Sequence, residues 1–177
     1  MIRGASNFLF PWKGVWKSKI PRRVVFFLWT AAHGRILTLD NLMLRGRLLA
    51  TWCCMCCCDG ESVDHLLLYC PVTHSLWTFM LQAFGIHWVM SGSVAGLLSC
   101  WHKWIGKQNS DIWNLVPGCL MWIVCLERNC RSFENMEKTL DEFKVLCQRS
   151  LFEWAHCWDF TDSSSLSEFL ISLSLSF

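Results

Sequence analysis

The chain has a single Tyr and four Pro among its 177 residues, and only 17% of it is charged. Acidic residues are scarcest at the start: Asp40 is the one Asp or Glu in residues 1–50. No two aspartates are adjacent anywhere, so an Asp-Asp pair to hold paired catalytic metals is missing. Between His65 and His102 there is no Asp, Glu, Lys or Arg. A membrane helix needs about 20 apolar residues. Pro71, Gln82, Gly85 and the run Ser91, Gly92, Ser93 break this stretch into shorter pieces, so buried helices are expected and no membrane partner is. The first residues have Arg3 but only a few apolar residues before Pro11, and no small-residue cleavage site behind a long apolar run. An intracellular location, cytoplasm or nucleus, is therefore expected rather than secretion. In a reducing compartment, cysteines point to metal or free thiols more than to disulfides.

What is abundant is apolar. Hydrophobic residues make up 53% of the chain, including twelve Trp and twelve Phe, which excludes a disordered tail and requires a sizeable core. The net charge of +2 conceals an asymmetry. Residues 1–50 hold nine Lys and Arg against one acid, a net of +8, and the rest hold seven against thirteen, a net of −6. A basic end of this kind suits an anionic partner.

The punctuation predicts a mostly α fold. Pro21 opens a helix from Arg22 to about His33, which Gly34 ends. Thr38 caps a short helix from Leu39 to Arg45, stopped by Gly46. Pro71 opens another through about Phe84, with Trp77, Met80, Leu81 and Phe84 at helical spacing. A short helix is expected over about 94–105, and a longer one from Ser110 to about Glu134 with a kink at Pro117. A last amphipathic helix, about 137–158, lines up Leu140, Phe143, Cys147, Leu151 and Trp154. Residues 161–177, rich in Ser, Leu and Phe, are expected to form a weakly ordered tail. Trp77, Trp88, Trp101, Trp104, Trp113, Trp122, Trp154 and Trp158 are assigned to the core, and Glu127, Arg128 and residues 134–138 to solvated helix surface.

Six of the twelve cysteines fall between Cys53 and Cys70. Cys53 and Cys56 form a CxxC, His65 follows after eight residues and Cys70 after four more. Zinc takes four tetrahedral sulfur and nitrogen ligands, and a CxxC turn supplies two of them from one loop. His65 and Cys70, five apart, would stand about 140° apart on an ideal α-helix. They converge on one ion only if the chain leaves α geometry before Cys70, which Pro71 favours. Asp59 and Gly60 supply the reversal between the two halves. Four such ligands leave no open position, which suits a structural rather than a catalytic site. Spacing alone leaves the register open: Cys54 and Cys57 make a second CxxC, Cys58 is adjacent, and His74 is a rival ligand.

A wider set of motifs surrounds this cluster. It comprises Val15, Trp16 and Lys17; Ile20 to Val24; Phe27, Leu28 and Trp29; Gly34 to Thr38; Asp40, Asn41 and Leu42; and Arg45 and Gly46. After the CxxC come Glu61 to Leu66, Cys70 and Pro71, and Leu76 and Trp77. Together they resemble the zinc-binding domain attached to plant non-LTR (LINE-type) reverse transcriptases, over about residues 10–85. The resemblance implies Zn2+ held by Cys53, Cys56, His65 and Cys70, which favours the first CxxC, and makes residues 86–160 a helical extension. Cys54, Cys57 and Cys58 depart from the family pattern.

A retroelement origin also directs attention to the basic residues. Lys13, Lys17, Lys19, Arg22, Arg23, Arg35, Arg45 and Arg47 are candidate phosphate contacts, and Trp12 and Trp16 candidate stacking platforms, for RNA or DNA. Neither polymerase nor ribonuclease H carboxylates are apparent, and His33 and Asp40 read as surface or capping groups, so no enzyme is expected. The sequence therefore reads as a zinc-binding, nucleic-acid-contacting accessory domain without its polymerase core. The alternatives are a protein-interaction module of unknown partner or a non-functional retroelement relic.

Overall fold

A computed structural model of the chain describes residues 19–46, 52–101 and 110–175. Among these the protein is mostly α, and the sole β pairing is an isolated antiparallel bridge between Trp52 and Gly60. The helices are α1 (Arg22–Ala32), α2 (Leu39–Leu44), α3 (Pro71–Ala83), α4 (Val94–Trp101), α5 (Ser110–Asn129), α6 (Leu140–Cys157) and α7 (Leu166–Leu175). Two π-helical turns, His65–Tyr69 and Cys130–Glu134, precede α3 and extend α5.

The expected punctuation operates. Pro71 takes the first position of α3, and α1 is closed by Gly34 at φ +64°, a conformation that costs glycine nothing. The start of α6 carries a capping box. Thr139 accepts from the Glu142 N–H, and the Glu142 carboxylate accepts from the Thr139 N–H.

Helix α5 is the axis of the fold. Ile112, Trp113, Leu115, Val116, Cys119, Leu120, Met121, Ile123 and Val124 are all buried, and the helix packs against α1, α3 and α6. A helix apolar on every side belongs in a core. Pro117 lies inside it without ending it. Proline has no N–H to give the carbonyl four residues back. That carbonyl, on Trp113, instead accepts the Trp101 indole N–H at 3.0 Å. One residue on, Gly118 admits Ile20: a Cβ there would lie 2.8 Å from the Ile20 Cδ1 atom.

Around α5 stands an aromatic cluster. Trp101 and Trp113 stack with centroids 4.1 Å apart and planes 8° apart, Trp77 and Trp88 lie against Trp101, and Phe84 meets Trp113 edge-on. Trp77, Trp101 and Trp113 are fully buried, as core tryptophans should be. Trp88, Trp122 and Trp154 are partly covered, Trp158 is exposed, and Trp104 lies outside the described residues.

Two expectations change. The tail assigned to weak order contains α7, whose Phe169 and Leu173 are buried against the rest. Phe152 of α6 meets Phe169 at 5.3 Å between centroids. In a chain of Ser and Leu the four-residue spacing of these two apolar positions is enough for one buried stripe. The boundary expected at residue 85 does not separate two cores: one buried cluster runs from Ile20 to Leu173.

Candidate metal centre

The centre is built by a small loop and a π turn. Cys53 donates its N–H to the Asp59 carbonyl at 2.8 Å, and Cys57 donates to the Cys53 carbonyl at 2.8 Å. With the Trp52–Gly60 bridge, these close a hairpin-like loop whose reversal falls at Asp59 and Gly60. Cys57 stands in this loop at φ +55°, a left-handed conformation unusual for a side chain with a Cβ.

The second half begins at Ser62, whose hydroxyl accepts the His65 N–H at 3.1 Å. From His65 the chain adopts π geometry, closed by the Cys70 N–H on the His65 carbonyl at 2.6 Å. A π turn bonds i to i+5, so it brings positions 65 and 70 to one side where an α-helix would splay them. Cys70 then leaves helical geometry, at φ −52° and ψ 129°, as a residue before proline should. The carbonyls released by this irregular turn are satisfied by side chains of α3. Thr73 donates to the Leu66 carbonyl at 2.8 Å and the Trp77 indole to the Leu67 carbonyl at 2.9 Å.

These two pieces bring Cys53, Cys56, His65 and Cys70 together, their ligand atoms all within 4.8 Å of one another. The Sγ atoms of Cys53 and Cys70 are 4.0 Å apart, and Cys56 Sγ lies 3.4 Å from His65 Nε2. A tetrahedral zinc with ordinary bond lengths has S···S edges of about 3.8 Å and S···N edges of about 3.6 Å. The donor set and its spacing therefore fit a zinc ion. Cys53 and Cys70 are buried, while Cys56 and His65 are half-buried. The other imidazole nitrogen, Nδ1, faces the Asp59 carboxylate at 3.9 Å, on the side where ligating histidines commonly meet a carboxylate.

Electrostatics favour thiolate at one corner. The Cys53 thiol hydrogen-bonds the Cys70 sulfur, and with the N–H groups of Val72 and Thr73 at the start of α3 this pulls Cys70 down to about 5, against the cost of burial. Its partner is pushed the other way. Donating to the Cys70 thiolate and burial raise Cys53 far above the ordinary thiol range, although the N–H groups of Cys56 and Met55 point at its sulfur. Ligating thiols must be deprotonated, so a cation that accepts both sulfurs displaces the proton that Cys53 donates to Cys70.

The rival ligands point elsewhere. Cys54 Sγ lies 3.9 Å from Glu61 Oε2 and 3.8 Å from the Arg128 carbonyl, and it accepts the Ser132 hydroxyl at 3.4 Å. Cys57 and Cys58 are exposed, the latter turned onto the Cys56 carbonyl at 2.9 Å. His74 is exposed on the first turn of α3.

Charged residues that the sequence did not single out secure the loop. Arg128 and Glu61 form a fully buried ion pair, with Nη2 to Oε1 at 2.8 Å and Nε to both carboxylate oxygens at 3.2 and 3.3 Å. Glu61 also accepts the Leu39 N–H, tying α2 to the same carboxylate. Arg131 reaches the Met55 carbonyl. The assignment of Glu127 and Arg128 to solvated surface is thus overturned, since both are buried. A signal was available: apolar residues cover α5 on all sides up to Cys125, so its charged end had to meet partners rather than water.

Of the candidate nucleic-acid contacts, Lys19, Arg22, Arg23, Arg35 and Arg45 are described and exposed. Lys13, Lys17, Arg47, Trp12 and Trp16 lie outside the described residues. Two of the exposed cations rest on rings, Lys19 over Phe160 at 4.7 Å and Arg23 over Trp122 at 5.7 Å. Arg35 lines a cavity of about 660 Å³ with Phe27, Ile36, Leu37 and Phe133. No described helix is long and apolar enough to cross a membrane.

A family model described as zinc-binding in reverse transcriptase matches residues 1–77, a span that contains all four clustered ligand residues. The resemblance to the reverse-transcriptase zinc-binding domain therefore holds over that span. No curated protein and no solved structure matches the chain.

Proposed function

We propose, from the match of residues 1–77 to zinc-binding in reverse transcriptase, that this protein is a structural zinc module of retroelement origin that contacts nucleic acid. Zinc is held by Cys53, Cys56, His65 and Cys70. The observation that carries this reading is the gathering of those four donor atoms within 4.8 Å, inside the matched span. The bound ion supplies a tetrahedral cross-link between the CxxC loop and the π turn, with no position left for substrate. The role is accessory rather than catalytic. The source is a plant LINE-type element.

Nucleic acid is the partner because the exposed cations Arg22, Arg35 and Arg45 lie on α1 and on the segments at either end of α2, within the first 50 residues, where Asp40 is the one acid. RNA or its DNA copy is what an accessory domain of a reverse transcriptase would meet. Phosphate contact is sequence-tolerant and weakens steeply with salt. A second reading, docking of a polypeptide, has one specific observation in its favour: Phe133 and Met136 are 76% and 59% exposed.

Elemental analysis of purified protein tests the metal: one zinc per chain, lost in His65→Ala, is the expected result, and a zinc-free folded chain refutes it. Titration with single-stranded RNA at rising salt tests the partner. Affinity should fall steeply with salt, and Arg22→Ala, Arg35→Ala and Arg45→Ala together should weaken it and flatten the salt slope. Salt-insensitive binding to a polypeptide with no RNA affinity would favour the second reading.

A further inference from the structure

The metal loop is fastened from outside the matched span. Arg131, in the π turn that extends α5, donates from Nη1 to the Met55 carbonyl at 3.2 Å. Met55 sits between the ligands Cys53 and Cys56, and its carbonyl belongs to the peptide unit that joins it to Cys56. The N–H of that same unit points at the Cys53 sulfur. One peptide plane is therefore gripped at both ends, by a cation at its oxygen and by a ligand sulfur at its hydrogen. A cation on the oxygen polarises the unit and strengthens its N–H as a donor.

The guanidinium is itself held in place. Its side chain is 10% exposed, and Nε donates to Glu127 at 3.0 Å, Nη1 pairs with Glu137 at 2.8 Å, and Nη2 donates to the Lys138 carbonyl at 3.3 Å. Glu127 also accepts both the backbone N–H and the Nζ of Lys138. Three residues back, Arg128 grips Glu61 on the far side of the loop, and Ser132 donates to Cys54 within it. The stretch 127–138 thus contacts the loop at Met55, Cys54 and Glu61, and the whole of that stretch lies beyond residue 77.

We propose that Arg131 is a positioning residue for the metal centre: it holds the Met55–Cys56 peptide so that its N–H stays on the Cys53 sulfur, and it couples zinc binding to order in residues 127–138. This rests on the zinc reading above. A partner to a metal ligand that sits one bond network away typically contributes tenfold to a hundredfold in metal affinity. The extension is then part of the zinc site's support rather than a separate appendage, and the ion orders chain on both sides of the matched boundary.

The test uses the full chain and two ions, zinc and cobalt(II). Competition with a chromophoric chelator gives the zinc Kd of the unaltered protein, Arg131→Met, Arg131→Lys and Leu151→Ala. The last removes a buried side chain of α6 and controls for general destabilisation. Arg131→Met should raise Kd about tenfold or more and shift the thiolate-to-cobalt charge-transfer bands, Arg131→Lys should recover part of the affinity, and Leu151→Ala should change neither. An unchanged Kd and an unchanged cobalt spectrum in Arg131→Met would overturn the proposal.

Should Arg131→Met fail to fold, hydrogen exchange on the unaltered protein decides. Chelating the zinc should speed exchange in 127–138 together with 53–70 and leave α7 unaffected. Acceleration confined to 53–70 would overturn the coupling. An unaltered chain that binds no zinc at all sinks both this inference and the zinc reading, whereas zinc binding indifferent to Arg131 sinks only this one.

Discussion

Between Trp52 and Cys70 the chain has one isolated bridge, one π turn, and a loop with four exposed residues in a row at Cys57, Cys58, Asp59 and Gly60. From Trp77 to Leu173 it buries three tryptophans, Phe84, Phe143 and Phe169 around one central helix. The helical region holds its shape by removing aromatic surface from water, which needs no particular partner atom and tolerates salt and moderate pH. The loop buries thiols, a carboxylate and a guanidinium, so its shape depends on specific bonds. The first kind of order is spread over many contacts, and the second is concentrated in a few atoms that chemistry can remove.

That contrast ranks the consequences of change. The largest effect should come from Cys70→Ser, which deletes one ligand and the thiolate partner of Cys53. Structural zinc contributes on the order of 10 kcal/mol or more to the folding of small zinc-binding peptides. Residues 52–70 should become protease-sensitive in this variant and zinc stoichiometry should fall to zero. Helical circular dichroism from the remainder should largely persist. Loss of all helical signal would erase the distinction between the two regions.

Next in size is Trp113→Ala, in the middle of the aromatic cluster. Removing a buried tryptophan costs about 3–5 kcal/mol, which urea denaturation would register directly. Zinc stoichiometry at native conditions should stay at one. A zinc-deficient Trp113→Ala would mean that the loop leans on the aromatic core more heavily than the contacts indicate.

A smaller effect lies at the seam between the regions and depends on pH. Burial works to raise Glu127, but the Lys138 N–H, Arg131 and the Lys138 ammonium outweigh it and hold the carboxyl below its ordinary range. A depressed folded-state value stabilises the protein above the unfolded value, and that contribution disappears as pH falls through the folded one. Comparing the urea midpoints of unaltered and Glu127→Gln protein, both with zinc chelated, should show a deficit at pH 6 that narrows by pH 3. A deficit independent of pH would mean that shape, not charge, is what Glu127 supplies.

The smallest effect belongs to Cys58→Ser. The thiol is exposed and outside the cluster, so stability should change by no more than about 0.5 kcal/mol, and one zinc should remain bound. A loss of zinc on this substitution would return the ligand register to the ambiguity that spacing alone leaves.

How much of this was legible before the fold is instructive in its particulars. Helix starts at Pro21 and Pro71 and stops at Gly34, Gly46 and Gly85 were readable because proline and glycine act through their own backbone torsions. A metal centre in the 53–70 stretch was readable because ligand chemistry restricts which residue types assemble, and the resemblance to the reverse-transcriptase zinc-binding domain favoured Cys53, Cys56, His65 and Cys70. Its register was not readable from spacing, since Cys54 and Cys57 repeat the same interval. Only the direction of each side chain, set by the Cys53–Asp59 closure and the left-handed Cys57, turns the first pair inward and the second away.

The sequence by itself determined that the molecule is helical, that Trp77, Trp101 and Trp113 are core, and that positions 65 and 70 require a departure from α geometry. Each of those follows from local periodicity or from the torsions of one residue. Tertiary structure alone decided that the departure is a π turn, that the Trp101 indole fills the carbonyl freed by Pro117, and that the serine-rich tail packs as α7. It also decided that Glu61 and Arg128, 67 residues apart, share one buried ion pair. Such pairings are set by distance in space, and no window along the chain contains both partners.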